Sequence, residues 1–587
     1  MNRSVNLALV VGLCAAIAAC PAPQKPETTP GPSKLREVAA ATLSEEADRD
    51  RKGLITAELL QKEERPLVFS AKSLEPADAG LLALLQQAAA VVEELNLLQI
   101  DPKMLDYRRQ VEEQGTKDDR RLFGRNQGPW CEGNMDVRCC TLRSVPPRPS
   151  GGAAATEPAV TSRVKKLADL LQQAAEATTD QTLQRYLRAR AKVLASDAAY
   201  RESDRLWVAL DGRWDVAVGL LESGRYGMIA ALEDAGAKAA LEELRKNVPR
   251  LAGWLGYLAG RKLPRPKPEQ VAAHLRVVTL LLASGQTRKA HAGATRLRLP
   301  ADPQKTLLFV DRLRALIPTR QARAAQVLAG QAQVTEEATL QDALLLEVCR
   351  DLGPHPGMEI QTKQGKTTVA QALGDLAPVI DDLKARLVSL WLTGELRRRN
   401  QVTEEQLDQR FASAILGLVE QLQGGLQSPR ARAAALALGS LADAKAISYD
   451  DASGRWSIDG RKMRRALKDL SRKIVTLELT GDRAGAEKLF ATCFAEKGGR
   501  LQLADRVDRP RLRAKERFMA EGIRPVIFVN ELRDLPAAPA RRAKKPPKKP
   551  EPPKKPEPAK AKKPNKTKKP EPDKAKKPDK TKKPPSP

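Results

Sequence analysis

A mainly α-helical body with small β elements, followed by a disordered C-terminal tail, is the fold class that these 587 residues predict, and three observations carry it. Long stretches place Leu, Val and Ala three and four residues apart, which lines one face of a helix. Strand-like runs are few and short. Residues 537–587 are almost free of apolar side chains and repeat Lys-Lys-Pro, so they cannot bury enough surface to fold.

The chain opens MNRSVNLALVVGLCAAIAAC. One arginine, an apolar run from Val5 to Ile17 and small residues up to Cys20 read as a secretory signal over 1–19, too short to stay in a bilayer as a helix. Ile17-Ala18-Ala19-Cys20 also fits a bacterial lipobox, whose cysteine is acylated and becomes the mature N-terminus. An ordinary signal peptide with a chance cysteine is the alternative. Acylation makes the membrane a partner through a lipid anchor. Pro21, rather than Asp, at the second mature position points to an outer-membrane lipoprotein facing the periplasm or the cell surface. The Pro-rich stretch 20–43 then reads as a stiff tether.

Residues 44–536 are long enough for two packed lobes, with no marked boundary between them. GLLALLQQAAAVVEELNLLQ, VKKLADLLQQAAEATTDQTLQRYLRARAKVLA and PEQVAAHLRVVTLLLASGQTRKAHAGATRLRL are expected to be helices. Strands are expected at TTVAQAL after Gly365, at AISYD and RWSID around the turn Ala452 to Gly454, and at PVIFV near Pro525. No fixed repeat period runs along the chain.

Beyond Cys14 and Cys20 five cysteines remain: Cys131, Cys139, Cys140, Cys349 and Cys493. The stretch GPWCEGNMDVRCC brings the first three close enough for one short-loop disulfide, Cys131 with Cys139 or with Cys140, as suits an oxidising compartment. A zinc knuckle is the alternative, but three thiols without a nearby histidine leave the tetrahedron incomplete.

Other candidate chemistry is sparse. KQGKTT at Lys363 to Thr368 lacks the earlier glycine of a phosphate loop, since Ile360 holds that place, and reads as a turn and strand. His274 and His291 are expected on helices as packing or surface residues, and His355 lies between Pro354 and Pro356. No pair of histidines has metal-ligand spacing. No Gly-x-Ser-x-Gly signature is present.

The tail from Arg541 carries 20 basic and 5 acidic residues, about half of the chain's +29 charge. It is read either as a solvated spacer or as a polycation for anionic envelope polymers such as lipopolysaccharide phosphates. Nucleic acid is not an expected partner, because the chain is exported and the tail has no aromatics to stack on bases.

The stretch ALLLEVCRDLGPHPG, Ala343 to Gly357, has the frame of a zinc-peptidase helix without its histidines. Such a helix needs two imidazoles four residues apart around one ion, with Glu polarising the water; Leu346 and Arg350 hold those places, with Glu347 between. About thirty residues on, Val379-Ile380-Asp381-Asp382-Leu383-Lys384-Ala385 resembles the Glu-Glu-x-(Lys/Arg)-Ala helix that supplies the third zinc ligand in the dipeptidyl-peptidase III family and its exported bacterial relatives. LRARAKVLASDAAYRESDRLWVALDGRWDVAVGLLESGRYG, with Gly219-Leu220-Leu221-Glu222, is similar to the family's Gly-Pro-x-Glu turn and the helix before it. YDDASGRWSIDGRKMRRALKDLSRKIVTLELTGDRAGAEKLF resembles its C-terminal region, and NQGPWCEGNMDVRCC its Gly-Pro-Trp loop. These segments fall between Asn126 and Phe490 in the family's order, with a gap from Met228 to Gln341.

The resemblance implies a two-lobed dipeptidyl-peptidase III-like body. Carried over position by position, it puts the former ligands at Leu346, Arg350 and Asp382 and the water-polarising carboxylate at Glu347, beside Asp381. Only Glu347 keeps its residue type. The implied protein is therefore an inactive homologue with no metal and no cofactor, whose cleft binds a peptide or protein partner. An envelope scaffold bridging membrane and wall through the tail, and a hydrolase with an unrecognised site, are the alternatives. Arg350 is expected to replace the metal by bonding Asp382 or Glu347. Mass spectrometry of the mature N-terminus is expected to find an acylated Cys20, and cleavage elsewhere or an unmodified Cys20 removes the anchor.

Overall fold

The computed structural model describes residues 45–538, except 134, 135, 137, 142–156, 197–199, 222, 223, 264, 291–294, 300–304, 331, 332, 364, 498 and 499. The signal, the lipobox with Cys20, the tether, His291 and the Lys/Pro tail lie outside the described residues.

The two ends of the body are tied together. The strand Glu63–Ser70 pairs in parallel with the last strand, Val526–Arg533, from Glu63 against Val526 to Ser70 against Arg533. PVIFV was expected to be a strand, and the strand begins at Val526, one residue after Pro525.

The elements used below are α1 (Pro76–Ile100), β1 (Trp214–Leu220), β2 (Tyr226–Glu233), α2 (Val248–Ala259), β3 (Leu275–Gly285), β4 (Arg296–Leu299) and β5 (Lys305–Phe309). They continue with α3 (Glu336–Asp351), α4 (Ala377–Arg398), α5 (Glu404–Gln423), α6 (Pro429–Asp443) and α7 (Gly460–Thr480). By length and apolarity α1 could cross a membrane, yet 72% of its apolar window is buried inside the body, so it is a core helix.

One large hydrophobic core gathers α1, the helices Glu157–Ala177 and Gln181–Ser196, and a five-stranded sheet of order β1-β2-β3-β5-β4. The sheet is antiparallel except for β3 against β5. A second core joins α2 through α7. At its centre is α4, which packs against α3, α5, α6 and α7.

The sheet corrects two expectations. PEQVAAHLRVVTLLLASGQ was expected to be helical, but Leu275–Gly285 is strand β3. A short apolar run buried on both faces has no periodicity that separates strand from helix. Here the β-branched Val277, Val278 and Thr279 fit the pleated surface. His274 consequently precedes a strand instead of riding on a helix.

TTVAQAL is likewise strand only to Thr368, where it pairs with Glu359–Thr362; Val369–Leu373 is helix. Thr368 explains the switch. Its hydroxyl accepts from the Gln371 backbone N–H at 3.2 Å while the Gln371 side chain accepts from the Thr368 N–H at 3.2 Å, a reciprocal cap that starts a helix.

The hairpin Ile447–Asp450 to Arg455–Ile458 forms as expected, with Gly454 at φ 62° in its turn. Cys131 is bonded to Cys139 with Cα atoms 5.5 Å apart, whereas Cys140, Cys349 and Cys493 are buried and outside this disulfide.

Candidate functional site

Helix α3 begins at Thr335, whose hydroxyl caps the Ala338 N–H at 3.2 Å, and ends after Asp351. Gly353 follows at φ 75°, and a Cβ there would lie 2.7 Å from Leu255 Cδ2 of α2, so the Gly-Pro step lets two helices approach closely. Helix α4 runs beside α3 and is buried nearly all round. It nonetheless carries Asp382, Lys384 and Arg386 into that interior. Polar groups so placed must find partners or lose several kcal/mol each, on the order of the desolvation cost.

They do find partners, and the partners are one another. The Arg350 guanidinium donates to Asp382 through Nη2 and to Glu347 Oε1 through Nε at 3.2 Å, and its Nη1 lies 3.8 Å from Asp381 Oδ2. Arg386 Nε donates to the other oxygen of Asp382 at 2.6 Å and its Nη2 to Gln421 of α5 at 2.6 Å. Asp382 is thus held between two guanidinium groups, one from α3 and one from its own helix.

Burial works to raise the Asp382 pKa, but Arg386 and Arg350 more than offset it and hold the carboxylate far below its usual range. Burial also works against the charge on Arg350, yet Glu347, Asp382 and Asp381 keep it firmly protonated. The contact expected from the sequence, Arg350 across to Asp382, is formed.

Three further groups complete the cluster without a signal in the sequence pattern. Lys384 is fully buried and donates to the backbone carbonyls of Arg350 at 2.9 Å and Pro354 at 2.7 Å, with Asp381 Oδ1 3.1 Å away. Its ammonium therefore binds the end of α3 to α4, where free carbonyls need donors.

Glu478 of α7 is fully buried and neither carboxyl oxygen has a hydrogen-bond partner. Burial pushes its pKa up to about 8, with the Lys384 ammonium opposing and the Asp381 charge adding. His274 stands before β3 with Nε2 3.8 Å from Glu347 Oε2 and Nδ1 3.5 Å from Asp351 Oδ2. Reading residues 268–299 as a helix hid it.

Leu346 is half-buried and faces a cavity of about 360 Å³ also lined by Asp342, Arg320, Arg386 and Glu420. A larger cavity, about 670 Å³, shares no lining residue with it. His355 is exposed beyond the helix end; burial and the Lys384 charge lower its pKa. Burial pushes the Cys349 thiol up, away from thiolate chemistry.

Zinc, the metal that the resemblance implies, does not fit these residues. Leu346 has no donor atom, and Arg350 places a permanent cation where a second imidazole would stand. Asp382 spends both oxygens on guanidinium groups.

No family model matches the chain. Its fold is similar to the structure of DPP III from Caldithrix abyssi, with TM-score 0.64 and 19% identity over 81% of this chain and 98% of that one. It is also similar to the structure of dipeptidyl-peptidase III from Corallococcus sp. strain EGB, with TM-score 0.59 and 20% identity over 81% and 96%. Among curated sequences it is 25% identical over 350 residues to Nudix hydrolase 3 of Arabidopsis thaliana, over 56% of this chain and 44% of that protein. The chain thus spans less than half the length of that relative. The fold is dipeptidyl-peptidase III-like, as expected.

Two outcomes test the cluster. Arg350→Ala leaves Asp382 and Glu347 short of a partner in the interior and is expected to cost about 3–5 kcal/mol in denaturant unfolding; an unchanged midpoint shows that the pairs carry no weight.

The second outcome concerns Glu478. A carboxyl raised from 4.5 to about 8 favours the folded state fully below pH 4.5, and that contribution is lost as pH rises to about 8. Glu478→Gln is expected to gain stability relative to the parent across that window, and a parallel pair of Tm-against-pH curves excludes it.

Proposed function

We propose that this chain is a lipid-anchored, extracytoplasmic protein that keeps a peptidase scaffold without its metal chemistry and binds an extended peptide or a protein partner in its cleft. The coarse part, a peptidase-related protein, follows from the dipeptidyl-peptidase III-like fold. One observation carries the finer part: Arg350 occupies the second former ligand position and is committed to Asp382, Glu347 and Asp381. A guanidinium pairing with a carboxylate across two helices is a structural clasp, and the guanidinium itself offers a dication no lone pair. The cavity beside Leu346 supports a binding role, because it stays open next to the clasp and mixes apolar walls with Arg320, Arg386 and Glu420. The lipobox at Cys20 and the tether after it support the anchored location.

Metal analysis of the purified mature protein, together with an assay of dipeptide release from peptides, tests this reading. Substoichiometric zinc and no chelator-sensitive release are expected. Leu346→His with Arg350→His is expected to bind zinc through two imidazoles and a freed Asp382, whereas Arg350→His alone is not. Stoichiometric zinc in the parent, with activity lost to chelator, overturns the reading. Chelator-insensitive release abolished by Glu347→Gln instead establishes a hydrolase of another kind.

A further inference from the structure

The end of α4 and the start of α7 bring basic side chains together around one cavity. Helices α4 and α7 run antiparallel: Gly394 lies beside Arg464, while Lys384 near the other end of α4 interacts with Glu478. The end of α4 reads Arg397-Arg398-Arg399, which suits the negative end of a helix.

The start of α7 reads Gly460-Arg461-Lys462-Met463-Arg464-Arg465, with no acidic residue in its first turn. Cations there sit at the positive end of the dipole and are disfavoured by it. The N-cap Asp459 and Glu404 offset part of this, Glu404 accepting from Arg397 at 2.8 Å and from Arg464 at 2.7 Å. Arg465 and Lys468 are exposed beside them.

Between the two helix ends lies a cavity of about 490 Å³, floored by Trp391 and rimmed by Arg398, Arg464, Arg465 and Lys468. It gathers arginine and lysine side chains from two helices around open space, with Glu395 and Glu404 also in its lining, and guanidinium groups so gathered suit phosphate.

Helix α2 extends the same face. It packs on α7, with Arg472 Nε donating to the Leu258 carbonyl at 3.0 Å. Trp254 is stacked by Arg399 at 4.5 Å and by Arg250 at 5.4 Å, so α2 also touches the end of α4. From Asn247 to Pro268 the sequence has five basic residues and no Asp or Glu. Tyr257, three residues beyond Trp254, is 80% exposed, the most exposed large hydrophobic side chain among the described residues. An exposed tyrosine amid arginine and lysine is the pattern of an interfacial helix, where the ring enters the headgroup layer and the cations meet phosphate.

We propose that this face, built from α2, the end of α4 and the start of α7, seats the body on an anionic phospholipid surface, with headgroup phosphates taken by Arg398, Arg465 and Lys468 and Tyr257 inserted between headgroups. The choice of a lipid over an acidic protein rests on the lipid-anchor reading above, which holds the body within a tether's length of a membrane; the charge pattern and Tyr257 do not depend on it.

Vesicle sedimentation tests the proposal without the anchor. The chain ending at Pro539, which keeps every described element within one compact unit, removes the tail's own polycation, and Cys20→Ser removes the acyl chain. This protein is expected to pellet with phosphatidylglycerol vesicles and not with phosphatidylcholine vesicles, and to be released by salt. Arg398→Glu, Arg465→Glu and Lys468→Glu together are expected to lower binding at least about tenfold, at roughly the energy of one surface cation or more. Tyr257→Ser is expected to lower it less, with circular dichroism and Tm unchanged in both.

Equal binding by the triple variant, or none by the parent, overturns the proposal. Full release by millimolar inorganic phosphate assigns the cavity to free phosphate instead, and capture by polyglutamate but not by vesicles assigns the face to an acidic protein. Failure of acylation at Cys20 is read separately by mass spectrometry, so loss of the anchor and loss of this face are distinguishable.

Discussion

Asp382 lies between the guanidinium groups of Arg350 and Arg386 in a helix that four others surround, and the arrangement of the second core depends on that contact. A single carboxylate at this depth is unstable, and so is a single guanidinium. Placed together they fix the relation of α3 to α4. Gln421, taken by Arg386, extends the link to α5. Lys384 ties the last carbonyls of α3 to the same helix from the other side. The apolar packing of Leu383, Leu387 and Leu390 would tolerate small slides between helices, whereas paired charges with set geometry do not.

Charge balance explains why Glu478 differs from its neighbours. The cluster sets Arg350, Lys384 and Arg386 against Glu347, Asp382 and the half-buried Asp381, which already cancel. A further negative charge would have only the more distant Lys384 to answer it. With its pKa pushed up to about 8, Glu478 instead keeps its proton near neutrality. Neutral, it adds little to the field of the cluster; ionised, it would compete with Asp381 for the same ammonium. The helices that hold the clasp therefore lose stability as pH rises from about 4.5 to about 8.

What the sequence made legible was set by periodicity and by spacing. The helix Pro76–Ile100 could be read from its apolar pattern, and the hairpin at Gly454 from the turn between two short runs. The Arg350 to Asp382 contact followed once the two helices were placed side by side by resemblance.

Strand β3 could not be read, because Leu275 to Ala283 is apolar without alternation and both faces of the sheet are covered. His274 was lost with it, since its approach to Glu347 and Asp351 comes from a strand of distant sequence. Lys384 and Glu478 were also invisible as partners: they are ninety-odd residues apart and meet only because α4 and α7 run antiparallel.

The same antiparallel pairing ties the buried cluster to the basic face. Along α4 the charges near the start are cancelled inside the core, while those at the end point outward. Along α7 the order is reversed, so the two exposed basic ends fall together around the cavity at Trp391. Among the described residues Glu395 answers them at 3.0 Å to Arg398, Glu404 at 2.8 and 2.7 Å to Arg397 and Arg464, and Asp459 at 3.1 Å to Lys462. Buried charge in this protein is neutralised internally, contact by contact. Surface charge on this face is left in excess, and like charges kept close around a helix N-terminus repel one another unless an anion from outside lies between them.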